Sequence, residues 1–162
     1  VIVPKQEKRK IPTQLDDFTA PVVNTYSLET TIAEKIDAIL SLMEFSSRMK
    51  DYYDIYYLAN KFDFDGKVLT EALKKTFENR GHTFTIEQFE QVMSFADDSA
   101  MQKKWKAFCR KIDTQTDDFN TVLKIIEAFL TEPFTAAVRD KEFTGKWSVS
   151  KNEWIIGGNY NG

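Results

Sequence analysis

The sequence predicts a mainly α fold: a bundle of about six helices with a short β remnant at the N-terminus. Two observations carry this. From about residue 27 onward, apolar side chains recur at helical spacing in six successive stretches. Most of those stretches open on a capping residue and close on a turn residue. Ahead of them, residues 1–26 hold three of the four prolines, Pro4, Pro12 and Pro21. That segment reads as two extended pieces, Val1–Val3 and Ala20–Tyr26, joined by an irregular loop.

The elements follow in order. Ser27 offers an N-cap, and Glu29 in the first turn complements the helix dipole. This helix is predicted over about 28–45. A turn at 44–47 leads to a second helix over about 48–62, and so short a connection favours antiparallel neighbours. Asp65 caps a third helix, about 66–79, with Val68, Leu69, Ala72, Leu73 and Phe77 in helical spacing; Gly81 stops it. Thr85 opens a fourth, about 86–95. A fifth spans about 98–111, with Met101, Trp105, Phe108 and Ile112 on one stripe. Residues 116–118 cap a sixth over about 119–131, and Pro133 is expected to interrupt it, with a weak resumption over 134–139. From Lys141 to Gly162 no period is visible, so an irregular tail is expected, in which Trp154, Ile155 and Ile156 suggest one short strand. The chain thus divides into an N-terminal strand and loop (1–26), a helical domain (27–140) and a tail (141–162).

A length of 162 residues suits one domain with a real core, and 42% apolar content calls for packing rather than disorder. A net charge of −3 with mixed signs argues against a whole-domain electrostatic grip on nucleic acid. The basic cluster Lys5–Lys10 is most simply a solvated loop, with phosphate contact the minor reading. A single cysteine, Cys109, excludes an intrachain disulfide and reads as a small core residue rather than a nucleophile. The lone His82, in the turn after the third helix, argues against zinc. No apolar run approaches the ~20 residues a membrane span needs and no signal peptide is visible, so the cytoplasm is the expected location. The opening on Val1, without an initiator methionine, reads as a fragment of a longer protein.

Two charges stand out. Lys35 falls within the apolar stripe of the first helix, among Leu28, Ile32, Ile36 and Ile39, and Asp51 within that of the second, with Ile55, Leu58, Ala59 and Phe62. Charged side chains are almost never buried unless they are paired or in use. The pair is therefore either an ion bridge tying two helices or two halves of an active site. Asp54 follows Asp51 at i+3, and Arg48 and Lys50 flank them. Cations and carboxylates clustered in this way suit a nucleoside triphosphate with its Mg²⁺: cations hold phosphate oxygens, while a carboxylate orients the lysine or meets metal-bound water. A purely structural bridge accounts for the same spacing. Tyr52, Tyr53, Tyr56 and Tyr57 wrap the second helix; packing explains most of them, and base stacking by one ring is the alternative.

The stretch Tyr26-Ser-Leu-Glu-Thr-Thr-Ile-Ala-Glu-Lys-Ile-Asp-Ala38, followed by Ser47-Arg-Met-Lys-Asp-Tyr-Tyr-Asp-Ile55, resembles the third and fourth motifs of the AbiEii/AbiGii nucleotidyltransferase toxins. The opening strand and Pro-containing loop resemble the segment after that family's second motif. The resemblance is clear over about residues 1–60 and general beyond them. It implies the C-terminal part of a DNA-polymerase-β-like nucleotidyltransferase. It implies transfer of a nucleoside monophosphate from a nucleoside triphosphate, with Mg²⁺, to RNA, a tRNA end or a protein. The enzyme would be the toxin of a toxin–antitoxin or abortive-infection phage-defence system, with a cognate antitoxin as partner. By that resemblance Lys35 holds the triphosphate, Asp51 completes the site as the fourth motif's acid, and Asp54, Arg48 and Lys50 support it or contact phosphate.

The family's first motif, a Gly-Ser-rich turn followed by Asp-x-Asp, and its second-motif aspartate are absent from these residues. No metal ligand is therefore expected within the fragment, no Mg²⁺ or nucleotide is expected bound to it, and alone it is expected to be inactive. Its partner would be the missing N-terminal half, and apolar surface exposed at that docking face would favour a homodimer of the fragment. The rival expectation is a non-catalytic helical module that binds protein or RNA. An enzyme half leaves Lys35 and Asp51 open on a concave surface. A binding module buries them against each other and exposes an apolar patch elsewhere.

Overall fold

A computed structural model describes residues 27–45, 48–113 and 115–156. Within them lie six helices: α1 (Leu28–Leu42), α2 (Met49–Ala59), α3 (Gly66–Asn79), α4 (Ile86–Ser94), α5 (Ser99–Ile112) and α6 (Phe119–Val138). Three short strands, β1 (Phe64–Asp65), β2 (Lys146–Ser148) and β3 (Glu153–Ile155), form an antiparallel sheet in the order β1-β2-β3. The fold is mainly α, as the periodicity predicts. The expected N-terminal strand pieces and the basic cluster lie outside the described residues, as does the end of the tail.

The helix starts follow capping chemistry. The side chains of Ser27, Asp65, Asp98 and Asp118 each accept a hydrogen bond from a first-turn backbone N–H, at 2.9–3.1 Å. Thr85 and Gln88 close a capping box on α4. At the end of α3, Gly81 adopts φ +69°, His82 N–H donates to Phe77 O at 2.9 Å and Gly81 N–H donates to Glu78 O at 3.1 Å. This paired pattern is a Schellman motif, which needs a left-handed residue that glycine supplies without strain. The first two helices are shorter than their periodicity suggests: α1 gives way to a 3₁₀ turn at Met43–Phe45, and α2 ends at Ala59.

α1 is central, packing against α2, α3 and α4, with Leu28–Ala33 buried throughout. A helix buried on so many sides lies inside the bundle rather than on it. α6 packs against α2, α3, α4 and α5 and buries Ile126, Phe129 and Leu130 completely.

Two expectations at the C-terminal end are corrected. Pro133 does not interrupt the sixth helix, which runs unbroken for 20 residues to Val138. A proline in a helix removes the N–H that would bond the carbonyl four residues back, here that of Phe129. The indole N–H of Trp154 donates to that carbonyl at 3.0 Å and stacks on the Phe129 ring at 5.9 Å. The freed acceptor is thus satisfied from outside the helix.

The segment expected to be an irregular tail is ordered over 146–155 as the β2–β3 hairpin, with Trp147 paired to Trp154 in register and Phe64 to Trp147. Three-residue strands are too short to show a period. Gly66 N–H donates to Gly145 O at 2.7 Å, and a Cβ on Gly66 would lie 2.7 Å from both that oxygen and the Phe143 ring, so this close approach requires glycine.

The Trp154 bond makes a cycle testable. Trp154→Phe is expected to cost about 1 kcal/mol in urea denaturation, and clearly less in a Pro133→Ala background, where the new N–H at 133 takes the Phe129 carbonyl. Equal costs in both backgrounds would show that the indole bond does not compensate the proline.

Candidate functional site

Lys35 is carried by α1, and Asp51 and Asp54 lie on the first two turns of α2, which packs against it. Residues three apart on a helix share a face, so both carboxylates turn toward α1. Lys35 Nζ lies 3.1 Å from Asp54 Oδ2 and 3.5 Å from Asp51 Oδ1. Arg48 Nε sits 3.1 Å from Asp51 Oδ2, and Lys50 donates a hydrogen bond to Asp54 Oδ1 at 3.0 Å. The structure thus brings together all five residues singled out from the sequence.

Exposure differs sharply among them. The Asp54 side chain is 0% exposed and that of Asp51 3%, while Lys35 keeps 21% and Arg48 and Lys50 reach solvent. Burial pushes both carboxyls above the usual aspartate range. Lys35 pulls both the other way, aided by Arg48 at Asp51 and by Lys50 at Asp54, without cancelling the desolvation. The result is a lysine whose position is set by two buried carboxylates, with its end partly open to water.

A family model described as nucleotidyl transferase AbiEii toxin, type IV TA system, matches residues 1–147. The chain belongs to this family. No curated protein and no solved structure matches it. As an AbiEii-family chain it is a member of a nucleotidyltransferase toxin family of type IV toxin–antitoxin systems, and such a system implies an antitoxin. No helix among its described residues is long and apolar enough to cross a membrane.

The five residues of this AbiEii-family chain do not fit a Mg²⁺ site. Both carboxylates are already engaged by cations, and Mg²⁺ needs free oxygen ligands in near-octahedral array. Among the described residues, no group of three His, Cys, Asp or Glu is placed to hold a metal ion. Phosphate is the better match to the ammonium and guanidinium groups.

Two further carboxylates of α1, Glu29 and Asp37, are buried without the sequence reading having placed them there. Asp37 on α1 is 0% exposed, and it accepts from Arg80 Nη1 at 3.2 Å and contacts His82 Nδ1 at 2.9 Å. The Schellman turn after α3 aims these two side chains at it, so the trio ties α1 to α3. Nothing in the local sequence signals Asp37, because both of its partners come from the turn after α3. Cys109 is half-buried, and burial pushes its thiol pKa up, as suits a packed rather than a reactive cysteine. Tyr52 is fully buried against Phe119 at 5.2 Å, whereas Tyr53, Tyr56 and Tyr57 are half-buried and line a cleft.

Proposed function

We propose that the Lys35 cluster is the triphosphate-holding part of a nucleotidyltransferase site, and that the protein is the toxin that uses it. Family membership supports the reaction class. The observation that carries the site is the fixing of Lys35 by two buried carboxylates from the next helix. A surface lysine is a mobile point charge; one anchored at 3.1 and 3.5 Å is pre-organised to meet a phosphate. In the reaction an acceptor oxygen attacks the α-phosphorus of the nucleoside triphosphate, the bond to the β-phosphate oxygen breaks, and pyrophosphate leaves. Lys35 neutralises charge on the β- and γ-phosphates, Arg48 and Lys50 add contacts from the rim, and Asp51 and Asp54 hold the lysine in place.

Mg²⁺ would accompany the triphosphate and neutralise its charge, held by residues other than the five of the cluster. The 162 residues alone are expected not to transfer, because the family's Gly-Ser-rich turn with its metal-binding Asp-x-Asp is not among them. The acceptor is RNA, such as a tRNA end, or a protein, and the setting is the bacterial cytoplasm in defence against phage, with a cognate antitoxin as partner.

A second reading has its own observation. Near-complete burial of Asp51 and Asp54 is what a purely structural bridge in a non-catalytic binding module requires. Induced expression of the full-length protein separates the two. Wild type, Lys35→Ala and Lys35→Arg are compared for growth arrest and for labelling of cellular RNA and protein from radioactive nucleoside triphosphates. The transferase reading expects at least a 100-fold loss of labelling in folded Lys35→Ala, on the order of removing one electrostatic contact to the transition state. Undiminished labelling in that variant assigns the cluster to structure alone.

A further inference from the structure

Along one face of α2 and just past its end stand Lys50, Tyr53, Tyr57 and Lys61, at i, i+3, i+7 and i+11. Lys50 joins this row to the charge cluster: it bonds Asp54 at 3.0 Å and stands 5.7 Å from the centre of the Tyr53 ring. Tyr53 is fixed from behind by Trp105 and Phe108, at 6.4 and 5.8 Å between ring centres. Tyr57 lies 6.1 Å from Tyr53, and Lys61 stands 5.9 Å from the centre of its ring. Tyr56 is held by a hydrogen bond from its hydroxyl to Asp117. Between these rings and residues 115–117 opens a cleft of about 530 Å³, with the amides of Asn60 and Gln115 on its wall. That volume falls in the ~300–1,000 Å³ range of small-molecule sites.

The chemistry of the cleft narrows its ligand. Aromatic faces invite a flat π-system, side-chain amides offer a donor and an acceptor to its edge, and the Lys61 ammonium on the wall attracts phosphate, while the Asp117 carboxylate on the opposite side is engaged by the Tyr56 hydroxyl. Packing accounts for Tyr53, but Tyr56 and Tyr57 remain half-exposed around open space. Tyr57 lies about 10 Å further along the helix axis than Lys50, on the order of one nucleotide's reach from a phosphate at the cluster. We infer that the tyrosine cleft binds an unpaired nucleobase. The base belongs either to the nucleoside triphosphate or to the end of a single-stranded RNA acceptor. The placing of phosphate at the cluster rests on the transferase reading above.

Binding to the full-length protein tests this. The probes are the four nucleoside triphosphates separately, inorganic tripolyphosphate, and a short fluorescein-labelled single-stranded RNA, against wild type, Tyr57→Ala and Tyr57→Phe. Loss of a stacking ring is expected to weaken the base-bearing ligand about 10-fold in Tyr57→Ala, with tripolyphosphate unchanged and binding restored in Tyr57→Phe. Weakening of a nucleoside triphosphate assigns the base to the donor, and weakening of the RNA assigns it to the acceptor. The inference is overturned if Tyr57→Ala weakens neither, if it weakens tripolyphosphate equally, or if Tyr57→Phe binds as poorly as Tyr57→Ala. Failure of the transferase reading shows separately, as undiminished labelling by Lys35→Ala.

Discussion

Lys35→Ala is expected to lower the stability of the fold by about 3 kcal/mol at pH 7, whatever it does to activity. Removing one partner of a buried ion pair leaves uncompensated charge, a loss of roughly 3–5 kcal/mol. The low end applies because Asp51 keeps Arg48 and Asp54 keeps Lys50. The penalty is expected to shrink toward acid pH. Both carboxyls already sit above the unfolded value of 3.8, and losing Lys35 raises them further. The folded variant therefore binds more protons than the unfolded chain, so its stability falls as pH rises from about 4 through the raised values.

Urea denaturation of Lys35→Ala at pH 5 and pH 8 checks both claims, and Lys35→Ala combined with Asp54→Asn is expected to recover part of the loss. A urea midpoint equal to that of wild type would mean the pair does not stabilise. Most domains have 5–15 kcal/mol in hand, so a 3 kcal/mol loss still leaves a folded variant whose labelling can be read.

Trp147→Ala is expected to cost about 4 kcal/mol, within the roughly 3–5 kcal/mol range for removing a large buried aromatic. Its ring is 1% exposed and packs on Phe129 at 5.0 Å and Trp154 at 5.4 Å. The indole N–H donates to Ala59 O at 2.8 Å, satisfying a carbonyl in the last turn of α2 that has no partner within the helix. Trp147→Phe keeps most of the ring but strands that carbonyl, so a loss of about 1–2 kcal/mol is expected from it. Guanidinium denaturation of both variants reads the two contributions. If the tail were merely draped on the surface, both would fall within about 0.5 kcal/mol of wild type.

The Lys35–Asp51 pairing was legible because two local patterns carry it. A charge at a position that helical periodicity reserves for the core stands out in any sequence, and a short connection brings consecutive helices together. The same logic found four of the five helix caps that use a side chain, Ser27, Asp65, Thr85 and Asp118, each of which reaches no further than three residues along the chain. Asp98 was missed as the fifth only by one residue at the start of a helix. Asp37 was not legible. Its partners Arg80 and His82 lie 43 and 45 residues away, and nothing in a helical wheel distinguishes an aspartate facing solvent from one facing another element's turn.

Among the described residues, what the sequence by itself determined was the number of helices, most of their boundaries, and the five charged residues that meet between the first two. These follow from periodicity and capping, which act within a few residues. Only the tertiary structure decided that α6 passes through Pro133 and that the tail is a hairpin. The carbonyl freed by the proline is met by an indole 25 residues away from it, and the end of α2 by one 88 residues from Ala59. A buried carbonyl needs a partner from somewhere, and local sequence does not say from where.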